Sequence, residues 1–228
     1  MRLIPFEELP AEIKNDSVKK YYDSLKKKQL QLSFKRIFDI SASIILCVIL
    51  SPIIVILAIW IKLDSKGPIF YRQERITQYG KKFKIFKFRT MVIDADKNGS
   101  LVTTQNDTRI TKVGNKIRKC RLDEIPQLFN VLKGEMSFVG TRPEVKRYVE
   151  KYTDEMKATL LLPAGITSLA SIKFKNEDEI ISNYLKDKYN IDEIYIKKIL
   201  PEKMKWNIEY LSSFNFGKDF WICLRTVI

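Results

Sequence analysis

The chain has 228 residues, enough for one well-filled domain and an accessory segment. It contains no histidine, which excludes Ser-His triads and histidine-based metal sites and leaves polar chemistry near neutral pH to Asp, Glu, Lys, Tyr or Cys. With 41 Lys and Arg against 27 Asp and Glu, its net charge of +14 calls for polyanionic company: nucleic acid, an anionic membrane or phosphorylated substrates.

Residues 1–33 read as an accessory segment. Pro5 and Pro10 precede the lysine-rich run "NDSVKKYYDSLKKKQLQ", expected as a helix lying on the protein or on anionic headgroups. Residues 34–62 follow as a membrane segment. Ile40 to Ile61, "ISASIILCVILSPIIVILAIWI", carries no charge, and as one straight helix it would reach roughly 33 Å at about 1.5 Å per residue. Ser51-Pro52 interrupts its middle, where the missing backbone donor predicts a kink. Residues 1–36 hold nine Lys or Arg and residues 62–89 hold nine more, so neither flank looks translocated. These residues alone leave two topologies open, a re-entrant hairpin and a single-pass anchor.

Residues 63–228 form the remaining domain. Gly67-Pro68 predicts a turn, and two strand-like runs follow, "IFYRQERI" and "KKFKIFKFRTM", separated by "TQYG" as a β-hairpin. In the second run Lys82, Lys84, Lys87 and Arg89 interleave with apolar residues, a pattern that fits a solvated face as readily as a binding surface. From Thr108 the pattern turns helical: "TRITKVGNKIRKC", then "EIPQLFNVLK" ended by Gly134, then "RPEVKRYVEKYTDEMKATLLL" ended by Pro163. Toward the C-terminus, "PEKMKWNIEYLSSF" and "GKDFWICLRTVI" mix aromatic, aliphatic and basic residues as interfacial helices do. Phe214, Phe216, Phe220 and Trp221 could serve either the core or a membrane surface. The three cysteines, Cys47, Cys120 and Cys223, lie far apart without paired spacing, which argues against zinc or a disulfide framework and fits a reducing compartment.

The stretch "CRLDEIPQLFNVLKGEMSFVGTRPE" concentrates the chemistry. Asp123 and Glu124 stand where a helix begins, both favourable positions for negative charge. Asp123 is therefore either an N-cap or a carboxylate nucleophile, with Arg118, Arg121 and Arg142 near enough in sequence to hold a phosphate against it. Attack on a phosphate by a carboxylate needs neutralising cations, and a hard, oxygen-liganded Mg²⁺ at Asp123 and Glu124 suits this residue set.

Taken in order, "FKRIFDI", Ser51-Pro52, "GPIFYRQERI", "FKIFKFRTM", "RLDEIPQLFNVLKGEMSFVGTRPE" and "PAGIT" resemble the bacterial sugar transferases known as monotopic phosphoglycosyl transferases, over about residues 34–228. The resemblance implies an α/β fold: a re-entrant membrane helix-break-helix at Ser51 and Pro52, plus a compact, mostly helical cytoplasmic-face domain with a small β-hairpin and interfacial amphipathic helices. It implies an enzyme of the bacterial inner membrane, with Mg²⁺ as cofactor and a UDP-sugar and polyprenol (undecaprenyl) phosphate as partners. No nucleic acid is implied, and a homo-oligomer is allowed. Carried over by residue, Asp123 is the nucleophile and Glu124 its helper, while Lys87, Arg89, Arg118, Arg142 and Lys175 are the basic phosphate-binding positions. The chain departs from the family pattern at Thr141, where proline is usual, at Ser168 to Ser171, and at Lys175, where the motif has arginine. That last exchange loses bidentate phosphate recognition. A membrane-tethered basic binding protein or an envelope scaffold explains the charge and the apolar segment, but not the Asp-Glu pair within these motifs.

Overall fold

The computed structural model describes residues 1–95, 107–174 and 191–227. After a 3₁₀ turn at Phe6–Glu8, helix α1 (Asp16–Lys26) begins at Asn15, whose side chain accepts the Val18 N–H. Helix α2 (Gln29–Asp64) leads to strands β1 (Phe70–Ile76) and β2 (Lys82–Phe88). Helix α3 (Lys112–Lys119), a 3₁₀ segment Leu122–Gln127 and helix α4 (Leu128–Lys133) precede strand β3 (Met136–Val139). Helix α5 (Lys146–Val149), strand β4 (Ala164–Thr167) and helix α6 (Leu169–Lys173) follow. Helix α7 (Ile191–Ile194) continues through π-helical Tyr195–Ile199 into α8 (Leu200–Ser212), and α9 (Phe216–Val227) ends the described chain. The fold is mixed α/β and mostly helical, as expected.

The hairpin forms where its runs predicted it, with Phe70 opposite Phe88 and Ile76 opposite Lys82. Its lysines do not share one face. Phe83 and Ile85 are buried while Lys82 and Lys84 are exposed, and the period of two carries Lys87 onto the face of Phe83 and Ile85. A second sheet, parallel β3–β4, has no local signature in the sequence because its crossover contains α5 and a 3₁₀ stretch at Met156–Leu161. Backbones meet closely there: a Cβ on Gly165 would stand 2.2 Å from Gly140 N.

Two expectations are corrected. The long helix expected over residues 142–162 breaks into α5 and the 3₁₀ stretch. Thr153 Oγ1 accepts the Met156 N–H, and residues 158–162 are all buried, a run that no single amphipathic face could hide. Of the two placements expected for residues 1–33, the one on the protein is found: Leu3, Leu9, Ile13, Val18, Tyr21, Tyr22 and Leu25 join the main core with Tyr148, Leu161, Tyr195, Leu211 and Phe214. The helix-break-helix is likewise replaced by one continuous helix through Ser51 and Pro52. Proline deprives the Val48 carbonyl of its partner four residues on, and Ser51 Oγ donates to that carbonyl at 2.8 Å, so the helical ladder is repaired locally.

Both ends of α2 are fastened to the domain. Lys35 pairs with Asp219 of α9 at 2.5 Å, and Arg36 donates to the Val131 and Leu132 carbonyls at the end of α4. Asp39 accepts the Phe138 N–H of β3. Basic residues expected to mark a membrane flank are thus partly structural. At the other end Leu57 and Ile61 pack with Phe88, Val113 and Ile117. Between these attachments Ile44, Ile45, Val48, Ile49, Ile53, Val55 and Ile56 are exposed. Among the described residues α2 is the one helix long and apolar enough to cross a membrane. At the C-terminus Phe214 is buried, whereas Phe220 and Trp221 are exposed.

Candidate active site

β2, the turn after α3 and the segment after β3 converge on one carboxylate. Because Lys87 continues the inner face of its strand, its Nζ donates to Glu124 Oε1 at 2.8 Å, and Arg142 Nη2 donates to the same oxygen at 2.9 Å. Burial alone would raise the Glu124 carboxyl, but the two cations outweigh it and hold it well below the usual carboxylate range. Glu124 is therefore a fixed anion. Burial also lowers Lys87 against the opposing pull of Glu124.

Asp123 differs in every respect. The residue that opens its 3₁₀ segment is Arg121, in the left-handed conformation at φ 52°, and no side chain caps it. Asp123 is thus not an N-cap, and its carboxylate makes no hydrogen bond with any described residue. Burial raises it above its ordinary value, Glu124 adds to the rise, and Lys87, Arg118 and Arg142 oppose it. An unpaired carboxylate raised in basicity has the character of a nucleophile.

Asp123 lines a cleft of about 710 Å³ shared with Arg72, Arg75, Lys87, Arg109, Arg118, Arg142 and Lys203. The acidic residues on its wall are Asp94, Asp123 and Glu144, so the walls carry an excess of positive charge. Three buried nitrogens without a partner among the described residues, Arg75 Nε, Arg89 Nε and Gln127 Nε2, belong to side chains that line this cleft. Unsatisfied donors of this kind cost about 1–3 kcal/mol each.

Of the expected site residues, Asp123, Glu124, Lys87, Arg118 and Arg142 come together. Arg121 faces solvent in its turn and does not line the cleft. Arg89 lines the cleft and also clamps a helix end: its Nη atoms donate to the Ile61, Ser65 and Lys66 carbonyls and to Ser65 Oγ. The end of α2 needs those donors, since the last carbonyls of a helix lack intrahelical partners. Ser51 and Pro52 lie in the exposed middle of α2. Lys175 lies outside the described residues.

The sequence reading missed the far wall of the cleft. Tyr195 donates to Glu144 Oε1 at 2.5 Å, and Lys203 donates to the Tyr195 hydroxyl at 3.0 Å. Glu144 was visible only as the end of "TRPE"; its partners lie some fifty residues away and have no local signal.

For Mg²⁺, the available donors are hard carboxylate oxygens on Asp123, with Glu124 beside it. The described residues contain no cluster of three or more His, Cys, Asp or Glu. That pattern fits an ion held by one or two carboxylates together with substrate phosphates.

The profile of a family described as bacterial sugar transferase matches residues 30–228. The chain belongs to the bacterial sugar transferase family. Three relatives place this sugar transferase among proteins named for undecaprenyl phosphate. A Bacillus subtilis (strain 168) protein, provisionally named an undecaprenyl-phosphate N-acetylgalactosaminyl 1-phosphate transferase, is 46% identical over 125 residues, covering 55% of this chain and 70% of the relative. The UDP-glucose:undecaprenyl-phosphate glucose-1-phosphate transferase of Klebsiella pneumoniae is 36% identical over 202 residues, covering 87% of this chain and 39% of the relative. The undecaprenyl-phosphate galactose phosphotransferase of Salmonella typhimurium (strain LT2) is 40% identical over 159 residues, covering 63% of this chain and 33% of the relative. The chain thus spans well under half the length of the latter two. Residues 1–29 fall outside the family match, yet they contribute to the core of this transferase.

Proposed function

We propose that this sugar transferase moves a sugar 1-phosphate from a UDP-sugar to undecaprenyl phosphate, the first step in assembling a lipid-linked glycan. The observation that carries the reading is the asymmetry of the dyad: Glu124 is locked by Lys87 and Arg142, while Asp123, in a cation-lined cleft, has no hydrogen-bond or ion-pair partner among the described residues. An Asp123 carboxylate oxygen attacks the β-phosphorus of the donor, and the bond to the bridging oxygen breaks. UMP departs with that oxygen and its electron pair, leaving the phosphosugar esterified to Asp123. A phosphate oxygen of the polyprenyl phosphate then attacks the same phosphorus, and the Asp123 carboxylate is released. Arg118 and Arg142 face the transferring phosphoryl group, and Glu124 holds its two cations in place throughout. Asp123 and Glu124 would hold Mg²⁺, which would supply Lewis-acid neutralisation of the phosphates.

The acceptor is lipid, and α2 supports a monotopic placement at the cytoplasmic face of the bacterial inner membrane. Only residues 40–56 lie between the attachments at Asp39 and Leu57, about 25 Å at about 1.5 Å per residue. That is short of the roughly 30 Å hydrocarbon core, and both ends return to one domain.

The relatives' names differ in their sugars, so the test must span them. Purified protein with undecaprenyl phosphate and Mg²⁺ is offered a panel of UDP-sugars, and UMP is measured. Release with one or a few donors, stopped by EDTA and restored by Mg²⁺, supports the reading; no UMP from any donor overturns it. Release that survives thorough demetallation retains the transfer but removes the cation from it.

A further inference from the structure

Beyond β2 the chain turns at residues 91–95 and presents two adjacent large apolar side chains, Val92 and Ile93, at 50% and 55% exposure. The turn is held, not loose. Met91 bridges Ile110, Val92 N–H donates to the Arg109 carbonyl at 2.9 Å, and Arg109 Nη1 donates to the Ala95 carbonyl at 2.9 Å. Val92 and Ile93 line the cleft that contains Asp123. Ile93 also abuts the loop just after α2, where a Cβ on Gly67 would stand 3.0 Å from it, and Leu63 and Trp60 in the last turns of that helix are exposed. Val92 and Ile93 thus form an apolar ledge on the wall of a cationic cleft, beside the end of α2.

A sugar nucleotide is polar along its whole length and gains nothing from such a ledge. A phosphate monoester on a long isoprenoid chain matches both halves, with its chain on apolar surface and its phosphate among arginines. Resting on the function proposed above, we infer that Val92 and Ile93 form the port through which the lipid-phosphate acceptor passes from the bilayer to Asp123. Their work is to bind the first isoprene units, so they select for chain rather than for headgroup.

The double variant V92N/I93N tests this with undecaprenyl phosphate in vesicles of phosphatidylethanolamine and phosphatidylglycerol, beside methyl phosphate, the headgroup without the chain, in solution. The expected result is an undecaprenyl phosphate KM raised about tenfold, corresponding to two apolar side chains made polar at a half-exposed site. The KM for the UDP-sugar and for methyl phosphate should change less than about twofold, and V92L/I93L should restore the wild-type value. An unchanged acceptor KM, an equal rise for both acceptors, or a rise confined to the UDP-sugar overturns the port. So does loss of vesicle co-sedimentation, which would make the ledge an anchor instead. A second arm needs no turnover: with p-benzoylphenylalanine in place of Val92, ultraviolet light is expected to attach undecaprenyl phosphate to the chain. Absence of that adduct sinks the port even if transfer proceeds, and its presence keeps the port even if no UDP-sugar is turned over.

Discussion

Asp123 and Glu124 are neighbours in sequence and opposites in environment, and the difference makes opposite demands on stability. Glu124, held below its ordinary value of 4.5, contributes stability that is fully present above that pH and is lost only as pH falls further through its depressed value. Asp123 is raised above 3.8, so its ionised form costs stability at neutral pH, and that cost disappears as pH falls through its raised value. Asp123→Asn is therefore expected to lower turnover by about a thousandfold or more, since an amide is a poor nucleophile. The same change should leave Tm at pH 7 equal or higher, with any gain shrinking toward pH 4. Thermal scans across pH alongside UMP release check both halves. A marked fall in Tm with turnover retained would return Asp123 to a structural role.

Helix α2 is held by ionic and polar contacts at one end and by apolar packing with the Arg89 clamp at the other. Lys35 and Asp219 are almost wholly buried, and Tyr210 donates to the second Asp219 oxygen at 2.8 Å. Removing one partner of such a pair strands the other, at a cost of about 3–5 kcal/mol. Lys35→Ala is expected to destabilise by that amount in denaturant titrations, while Lys35→Met with Asp219→Leu recovers much of the loss. A single variant within about 1 kcal/mol of wild type would show the pair to be dispensable. The same helix bears on topology. Because residues 3–25 are built into the main core, restoring the backbone donor with Pro52→Ala should not translocate the N-terminal segment. With the three native cysteines replaced, a cysteine at exposed Lys19 is expected to stay shielded from an impermeant thiol reagent in intact cells, in both native and Pro52→Ala forms. Labelling of the native form would mean that α2 crosses the bilayer.

At the scale of the molecule, the first 29 residues lie outside the family match and inside the main core. Leu25 is fully buried among residues from both ends of the chain. Leu25→Ala is expected to cost about 2–5 kcal/mol, as a cavity in a well-packed core does, with loss of catalytic-domain structure in the same transition. Equilibrium unfolding followed by two spectroscopic probes checks this. Separate transitions would make the segment an independent appendage.

What the sequence determined by itself is local. The period of two in "KKFKIFKF" set the hairpin and its faces, Gly134 ended α4 with a positive φ of 82°, and the uncharged run from Ile40 to Ile61 marked the apolar helix. The ordered motifs named the family. These signals are complete within a turn or a strand, because steric and hydrophobic patterns act between near neighbours. The sequence could not show whether Asp123 was a cap, since capping depends on where one oxygen points; the fold supplies Arg121 at that position and leaves Asp123 bare. Nor could it show that Arg89 serves the end of α2, that Lys87 turns inward to Glu124, or that Tyr195 and Lys203 meet Glu144. Those pairings are made between distant segments by closing the core. The desolvation that drives the Asp123 and Glu124 carboxyls apart exists only once that closure has removed water from both.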